Sequence, residues 1–196
     1  MQFRGWLIMA RREEYALVLD FLPNGRASEA TKLPIAQLLG ENFFTLLDVV
    51  IKPGIYLKPG DRVYVGRGSR KEVDHIRGRI SFNDLTNSAQ SQAKDQIRKL
   101  VLLKEREFVG FLNRAGSLNI RTHSLELLPS IGKRHLDSII NARESKPFES
   151  FEDIHQRVSS LGKIEEIFTN RVIEELRGES KYFLFVKPPA ANEDDI

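Results

Sequence analysis

Cysteine is absent from the 196 residues of this chain. Disulfides, thiolate nucleophiles and cysteine-ligated zinc or iron–sulfur sites are therefore excluded, and a cytoplasmic location is expected. No apolar run approaches the roughly 18 residues that cross a membrane, so we expect no membrane partner. The histidine spacings of zinc enzymes, the GxSxG of serine hydrolases and the glycine patterns of nucleotide-binding loops are also missing. Because no catalytic constellation, metal site or cofactor site is visible, we do not expect an enzyme.

Charge of one sign is not in large excess either. The chain has 30 Lys and Arg against 27 Asp and Glu, a net charge of +3, and three of the acidic residues lie in the last four positions. Without those three, residues 1–192 carry +6, a balance that permits an acidic polymer as partner. The length of 196 residues is enough for one large or two small domains, and the apolar content of 41% is ordinary for a globular protein.

Residues 14–82 have the pattern of short β-strands separated by turn residues. Alternating apolar positions and β-branched or aromatic residues mark five candidates: Tyr15–Phe21, Leu33–Leu39, Phe43–Ile51, Arg62–Gly66 and His75–Phe82. Five short strands punctuated by Gly, Pro and Asn predict a small closed barrel. We therefore predict an OB-like β-barrel domain over residues 1–84, including an N-terminal extension.

From Asp84 onward the apolar period becomes helical. A long helix after Thr86 is predicted either to continue to about Glu107 or to break and restart through Phe108. Beyond it the sequence predicts a helical hairpin over 124–144, a second, degenerate hairpin over 151–177, a closing strand over 181–187 and a disordered acidic tail over 188–196. The fold class is therefore α+β, with an all-α domain over 85–187 after the barrel.

The sequence from Leu128 to Arg134 points to an anion site at the start of a helix. Pro129 and Ser130 form a turn, Ile131 and Gly132 follow, and two cations open the helix. Helix N-termini carry unpaired N–H groups that favour anions. The predicted site consists of Ser130, Ile131, Gly132, Lys133 and Arg134, and Gly132 is expected to adopt a positive φ. The alternative is an ordinary helical hairpin that only packs.

A second group of cations crowds residues 62–79 of the predicted barrel. Its members are Arg62, Arg67, Arg70, Lys71, Arg77 and Arg79. In other proteins cations bind the phosphates of a nucleic acid, and neighbouring aromatic residues, here Tyr64, stack on its bases. The alternative is a solvated loop.

The segment Leu128–Arg143, with Pro147–Asp153 behind it, resembles the helix-hairpin-helix family of nucleic-acid-binding modules. Ser130 stands where that family has its first hairpin glycine, and Leu136 where it has a small residue. Leu161–Lys163 looks like a second copy of Ile131–Lys133. Taken whole, the chain is similar to an uncharacterised archaeal family, a domain of unknown function, of predicted nucleic-acid-binding OB-fold proteins with a C-terminal helix-hairpin-helix domain.

These patterns and the resemblance predict a monomeric, non-catalytic protein that binds RNA or DNA through its phosphates, mostly without reading sequence. Two alternatives stay open. One is a nucleic-acid-processing enzyme of the nuclease or glycosylase kind. The other is an adaptor that binds a protein partner through the hairpin or through Tyr182–Val186.

Overall fold

The structure is a computed structural model, and it describes residues 12–27 and 29–188. Most of the expected N-terminal extension, residues 1–11, and nearly all of the expected disordered tail, residues 189–196, lie outside the described residues. Two compact units are present: the first takes Met1–Gln96 and Leu176–Ile196, and the second takes Ile97–Glu175. The division falls at Gln96, inside a helix, whereas the sequence predicts a boundary at residue 84.

The first unit is built on a five-stranded antiparallel sheet that curls into a half-barrel. The strands are β1 (Tyr15–Leu22), β2 (Ile35–Gly40), β3 (Leu46–Ile51), β4 (Arg62–Tyr64) and β5 (Val73–Arg79). Their order in the sheet is β4-β1-β2-β3-β5. All five predicted strands are confirmed, with ends that shift by at most three residues. Turn residues set those ends: Gly25, Gly54 and Gly60 all have positive φ in the connections.

Strands β2 and β3 are buried on both faces. One face contributes to an apolar core that includes Ala36, Leu38 and Val49. On the other face of β2 lies Gln37, which is fully buried; its Nε2 donates to Asp84 O at 2.9 Å, and its Oε1 accepts from Thr86 N at 2.8 Å. The chain after β5 therefore covers the outer face of β2, whereas β4 and β5 keep exposed residues such as Arg62, His75 and Arg77.

The closing strand predicted over residues 181–187 was wrong, because this stretch has no strand conformation. Val186 is nevertheless buried, and Lys187 N donates to Phe43 O at 3.2 Å within the first unit. Aromatic and branched side chains suit a strand, but here Val186 is buried and Tyr182 is exposed, without a ladder of hydrogen bonds.

Five α-helices follow the sheet. They are α1 (Asn87–Leu103), α2 (Glu105–Arg114), α3 (Lys133–Ser145), α4 (Phe151–Arg157) and α5 (Ile164–Leu176). A β-hairpin, β6 (Ser117–Asn119) and β7 (Thr122–His123), leads into a 3-10 helix at Ser124–Leu127. The long predicted helix breaks at Lys104, the second of the two open alternatives. In the described part of the chain, no helix is long and apolar enough to cross a membrane.

The second unit is held by an aromatic cluster around Phe168 of α5. The ring centroid of Phe168 lies 4.7 Å from that of Phe108, 6.3 Å from that of Phe111 and 6.1 Å from that of Phe151. Arg157 of α4 donates to Ala142 O and Lys146 O at the end of α3. These bonds satisfy carbonyls that a helix C-terminus leaves open, so α3 is fixed at its C-terminal end.

Candidate nucleic-acid interface

The turn before α3 is built by two buried side chains and one strained residue. Leu128 and Ile131 are buried, and Ile131 N donates to Leu128 O at 3.2 Å. Between them Ser130 has φ +67°, a left-handed conformation that side chains with a Cβ rarely adopt. His135 Nδ1 donates to Ser130 O at 2.9 Å, which ties the turn to the first turn of α3.

The expectation that Gly132 has a positive φ was wrong. Gly132 has φ −92° and ψ −178°, extended values that other residues adopt, and a Cβ added there would meet no atom within 4 Å. Gly132 is the N-cap of α3, and N-caps are normally extended. The chain reverses two residues earlier, so Ser130 takes the left-handed conformation instead.

Gly132 leaves the N-terminus of α3 without a side-chain cap. The first bond of the helix runs from Leu136 N to Gly132 O at 2.9 Å. The backbone N–H groups of Lys133, Arg134 and His135 therefore have no acceptor among the described residues. Lys133 and Arg134 are exposed, and neither forms an ion pair within the part of the chain that the structure describes. Unpaired donors and two cations thus share one small volume.

Ile131 does not belong to this donor set. Its N–H is used inside the turn, and its side chain is only 5% exposed. Ile131 packs inside the unit beneath the turn, whereas the other four predicted residues lie on the surface: Ser130, Gly132, Lys133 and Arg134.

The chain leading into the turn is held by His123. Its Nδ1 accepts from Leu125 N at 3.1 Å, and its own N–H donates to Glu126 Oε2 at 2.8 Å. Burial lowers the pKa of His123, and the positive charge of Arg143 lowers it further. Both effects favour the neutral ring that this cap requires.

A buried ion pair lies in α5, the last helix of the second hairpin, and one of its two residues also binds the first hairpin. Arg171 Nε donates to Glu175 Oε1 at 2.8 Å, and Arg171 Nη1 donates to Leu127 O at 2.7 Å. Arg171 is 5% exposed and Glu175 is 2% exposed. Sequence reasoning missed this pair, although an Arg and a Glu four residues apart in an apolar helix are a signal for it.

Two of the six barrel cations are committed to carboxylates. Arg62 forms two bonds to Glu41, at 2.8 and 3.0 Å, and its guanidinium lies 3.5 Å from the ring centroid of Tyr15. Arg77 donates to both carboxylate oxygens of Glu29, at 2.9 and 3.1 Å. The hydrogen bond from Arg77 lowers the pKa of Glu29. Beside it, burial raises the pKa of Asp48 although Arg26 and Arg77 face it.

Two further barrel cations are used by the backbone. Arg70 Nε donates to Gly66 O at 2.8 Å and closes the loop between β4 and β5, and Arg79 reaches Pro188 O at 3.5 Å. Arg67 and Lys71 are exposed in that loop and form no ion pair with the described residues. Four of the six predicted cations therefore have partners within the chain, and Arg67 and Lys71 are the two that remain open to a ligand in the described part of the chain.

The second hairpin differs from the first at its turn. Gly162 has φ +69° and ψ −162°, and Glu165 and Glu166 occupy the first turn of α5. Glu165 Oε2 lies 3.2 Å from His155 Nε2, and Glu166 pairs with Arg98 at 2.7 Å. Carboxylates at a helix N-terminus offset its partial positive charge, so this turn is less favourable for an anion than the turn before α3.

Among residues 12–27 and 29–188, no group of three or more His, Asp or Glu side chains is arranged to hold a metal ion.

The chain is similar to archaeal proteins over almost its whole length. It is 40% identical over 177 residues to Uncharacterized protein MJ0038 of Methanocaldococcus jannaschii, covering 89% of this chain and 80% of that protein. It is also 40% identical to Af1531 of Archaeoglobus fulgidus, whose crystal structure matches with a TM-score of 0.84 over 89% of this chain and all of that one. The model of the DUF655 family, described as proteins of unknown function, matches residues 12–187. The chain therefore belongs to the DUF655 family.

Proposed function

We propose that this protein binds RNA or DNA without sequence preference, through an OB-fold and a helix-hairpin-helix module. The observation that carries the proposal is the N-terminus of α3, where N–H groups without an acceptor lie beside the exposed Lys133 and Arg134. In a nucleic acid, the group that fits such a site is the backbone phosphate.

The strand order supports the OB-fold assignment. In the order β4-β1-β2-β3-β5, strand β1 pairs with both β2 and β4, and β3 pairs with β5. An OB-fold is a five-stranded, partly open barrel that binds oligonucleotides with its strands 2 and 3 and with the loops after strands 1 and 4. Because β2 is covered on its outer face, the proposed contact is the loop between β4 and β5, through Arg67 and Lys71.

The turn geometry supports the helix-hairpin-helix assignment. Ser130 stands where that family has its first glycine, and it holds the left-handed conformation that glycine adopts readily. The next residues place an uncapped helix start at the surface. Leu136, which stands where the family has a small residue, is half-buried, and Ile139 is fully buried.

Binding through backbone donors and point charges carries no base information. If about four phosphates are neutralised, the logarithm of the binding constant falls with the logarithm of salt concentration at a slope of about −3.6 on duplexes or about −3 on single strands. Scrambling the base sequence at fixed strandedness leaves the affinity nearly unchanged.

The proposal is tested by fluorescence anisotropy with labelled single- and double-stranded RNA and DNA. Charge reversal in Lys133→Glu with Arg134→Glu is expected to weaken binding by about a hundredfold, since two phosphate contacts become repulsions. The matched control is Lys99→Glu with Arg106→Glu, which changes the net charge equally at two exposed cations of the same unit. Equal losses in both variants, or a flat salt response, would contradict the proposal. A denaturing gel of the same samples reports any cleavage and so tests the enzyme alternative.

A further inference from the structure

The tip of the β6–β7 hairpin carries a fully exposed isoleucine. Asn119 pairs with Thr122, which leaves Ile120 and Arg121 as a two-residue tip. Ile120 is 104% exposed, the highest value for a large apolar side chain in the described part of the chain, and Leu118 of β6 is 36% exposed. An apolar side chain is thus held out in solvent.

The fold of this hairpin does not require an isoleucine there. Arg121 N donates to Asn119 Oδ1 at 2.8 Å, and this side-chain bond shapes the turn without help from Ile120. Neither Ile120 nor Arg121 has a positive φ, so the backbone of the tip accepts many residue types and does not select isoleucine. The side chain of Ile120 is therefore available for a contact outside the folded chain.

The hairpin is attached to the segment that carries the proposed phosphate site. At its base Gly116 O accepts from both the N–H and the Oγ of Ser124, at 2.9 and 2.8 Å. His123 pairs with Ser117 in the hairpin and caps the 3-10 helix Ser124–Leu127. The apolar tip and the turn before α3 thus extend from the two ends of one short helix.

The charge of the surrounding chain indicates what the tip contacts. Residues 108–136 contain four cations, Arg114, Arg121, Lys133 and Arg134, and a single carboxylate, Glu126. That carboxylate already accepts from His123 N. Residues 144–175 contain four cations and eight carboxylates. An apolar tip in the basic half of the unit complements a polyanion with an apolar interior.

We propose that Ile120 is a wedge that enters between stacked base pairs of duplex RNA or DNA while Lys133 and Arg134 hold the backbone. This inference rests on the proposed function. Apolar side chains used in this way partly unstack a base step and bend the duplex. Thirteen residues separate Ile120 from Lys133, so their distance stays below about 45 Å, and a duplex of about 20 base pairs accommodates both contacts.

The test uses the full chain and duplexes of about 20 base pairs with 2-aminopurine at successive positions. The fluorescence of 2-aminopurine rises when the base is unstacked, and the wild-type protein at saturation is expected to produce that rise. Ile120→Ser is expected to remove the rise and to weaken duplex binding by about tenfold, and Ile120→Leu is expected to retain both. The control is Leu103→Ser, which removes another apolar side chain of the same unit, 81% exposed.

The outcomes separate this inference from the proposed function. Wild-type protein that binds no nucleic acid overturns both. Duplex binding that depends on Lys133 and Arg134, with fluorescence that never rises or is the same in Ile120→Ser, overturns the wedge and leaves the proposed function intact. A rise that Leu103→Ser retains and Ile120→Ser loses supports the wedge.

Discussion

The two helical hairpins of the second unit share an outline and differ in the chemistry of their turns. In the first, an uncapped helix begins with Lys133 and Arg134 after a left-handed Ser130. In the second, the helix has Glu165 and Glu166 in its first turn, after Gly162 with its positive φ. One turn leaves its donors open to an anion, and the other supplies carboxylates of its own. The second hairpin instead contributes support, because Arg171 in its last helix binds the carbonyl of Leu127 in the first.

Removing that support has the largest expected effect. Arg171→Met deprives the buried Glu175 of its Nε donor and Leu127 O of its partner, and breaking a buried pair in this way costs about 3–5 kcal/mol. The free energy of unfolding measured in urea is expected to fall by that amount. The double variant Arg171→Met with Glu175→Leu removes the stranded charge and is expected to lose less. A single-variant loss below about 1 kcal/mol would show that the pair does not support the fold.

The two glycines sharpen the comparison of the turns. Gly162→Ala is expected to cost about 1–3 kcal/mol in unfolding free energy, because φ +69° with ψ −162° lies in a region that only glycine occupies easily. Gly132→Ala keeps an ordinary extended conformation and costs only the difference between the two residues as N-caps, about 0.5–1 kcal/mol. Equal losses would mean that the turns do not differ as described.

Giving the first turn the electrostatics of the second separates stability from binding. Gly132→Asp places a carboxylate at the N-cap of α3, where it accepts from an N–H of the first turn and stabilises the helix by about 0.5–1 kcal/mol. The same carboxylate occupies the donors that a phosphate needs, so nucleic-acid affinity is expected to fall by about tenfold. Lys163→Asp makes a larger charge change at the residue before α5 and is expected to leave affinity unchanged. A variant at Gly132 that is more stable and binds equally well would remove this helix start from the interface.

The smallest expected effect is a gain in stability at Ser130. Ser130→Gly relieves a left-handed conformation that costs a residue with a Cβ about 1–2 kcal/mol, and the extra backbone freedom of glycine offsets about half of that. A net gain of about 0.5 kcal/mol is therefore expected in urea unfolding. Ser130→Ala keeps the Cβ and serves as the control. If it stabilises as much as Ser130→Gly, the backbone strain is not the cause.

Local patterns predicted the local structure well. The strand candidates lay within a few residues of the observed strands, and α3 was expected from Lys133 to about Glu144 and ends at Ser145. Ser150 accepts from Asp153 N at 3.1 Å as the N-cap of α4, and serine is one of the residues that helix starts favour. These features depend on residues only three or four positions apart, which a sequence shows directly.

Features that depend on distant residues were not predictable in the same way. Arg77 and Glu29 are 48 residues apart in the sequence, and Arg62 and Glu41 are 21 residues apart. No local sequence pattern therefore indicates that these cations are already paired with carboxylates. The choice of Gly132 for a positive φ failed for a different reason. Glycine is the residue type that adopts the left-handed conformation most readily, but Gly132 is the N-cap of α3, and that position required an extended conformation.

The first unit is assembled from both ends of the chain, because Leu176–Ile196 joins Met1–Gln96 across a second unit of nearly 80 residues. During synthesis at about 5–20 residues per second, the sheet therefore waits roughly 4–16 s for the segment that completes its unit. The intervening helical unit has all of its sequence available by then and is expected to fold first. A released chain truncated after residue 175 would accordingly contain protected helices over 97–175 beside a sheet that lacks its last segment, and pulse proteolysis of that chain would detect the order.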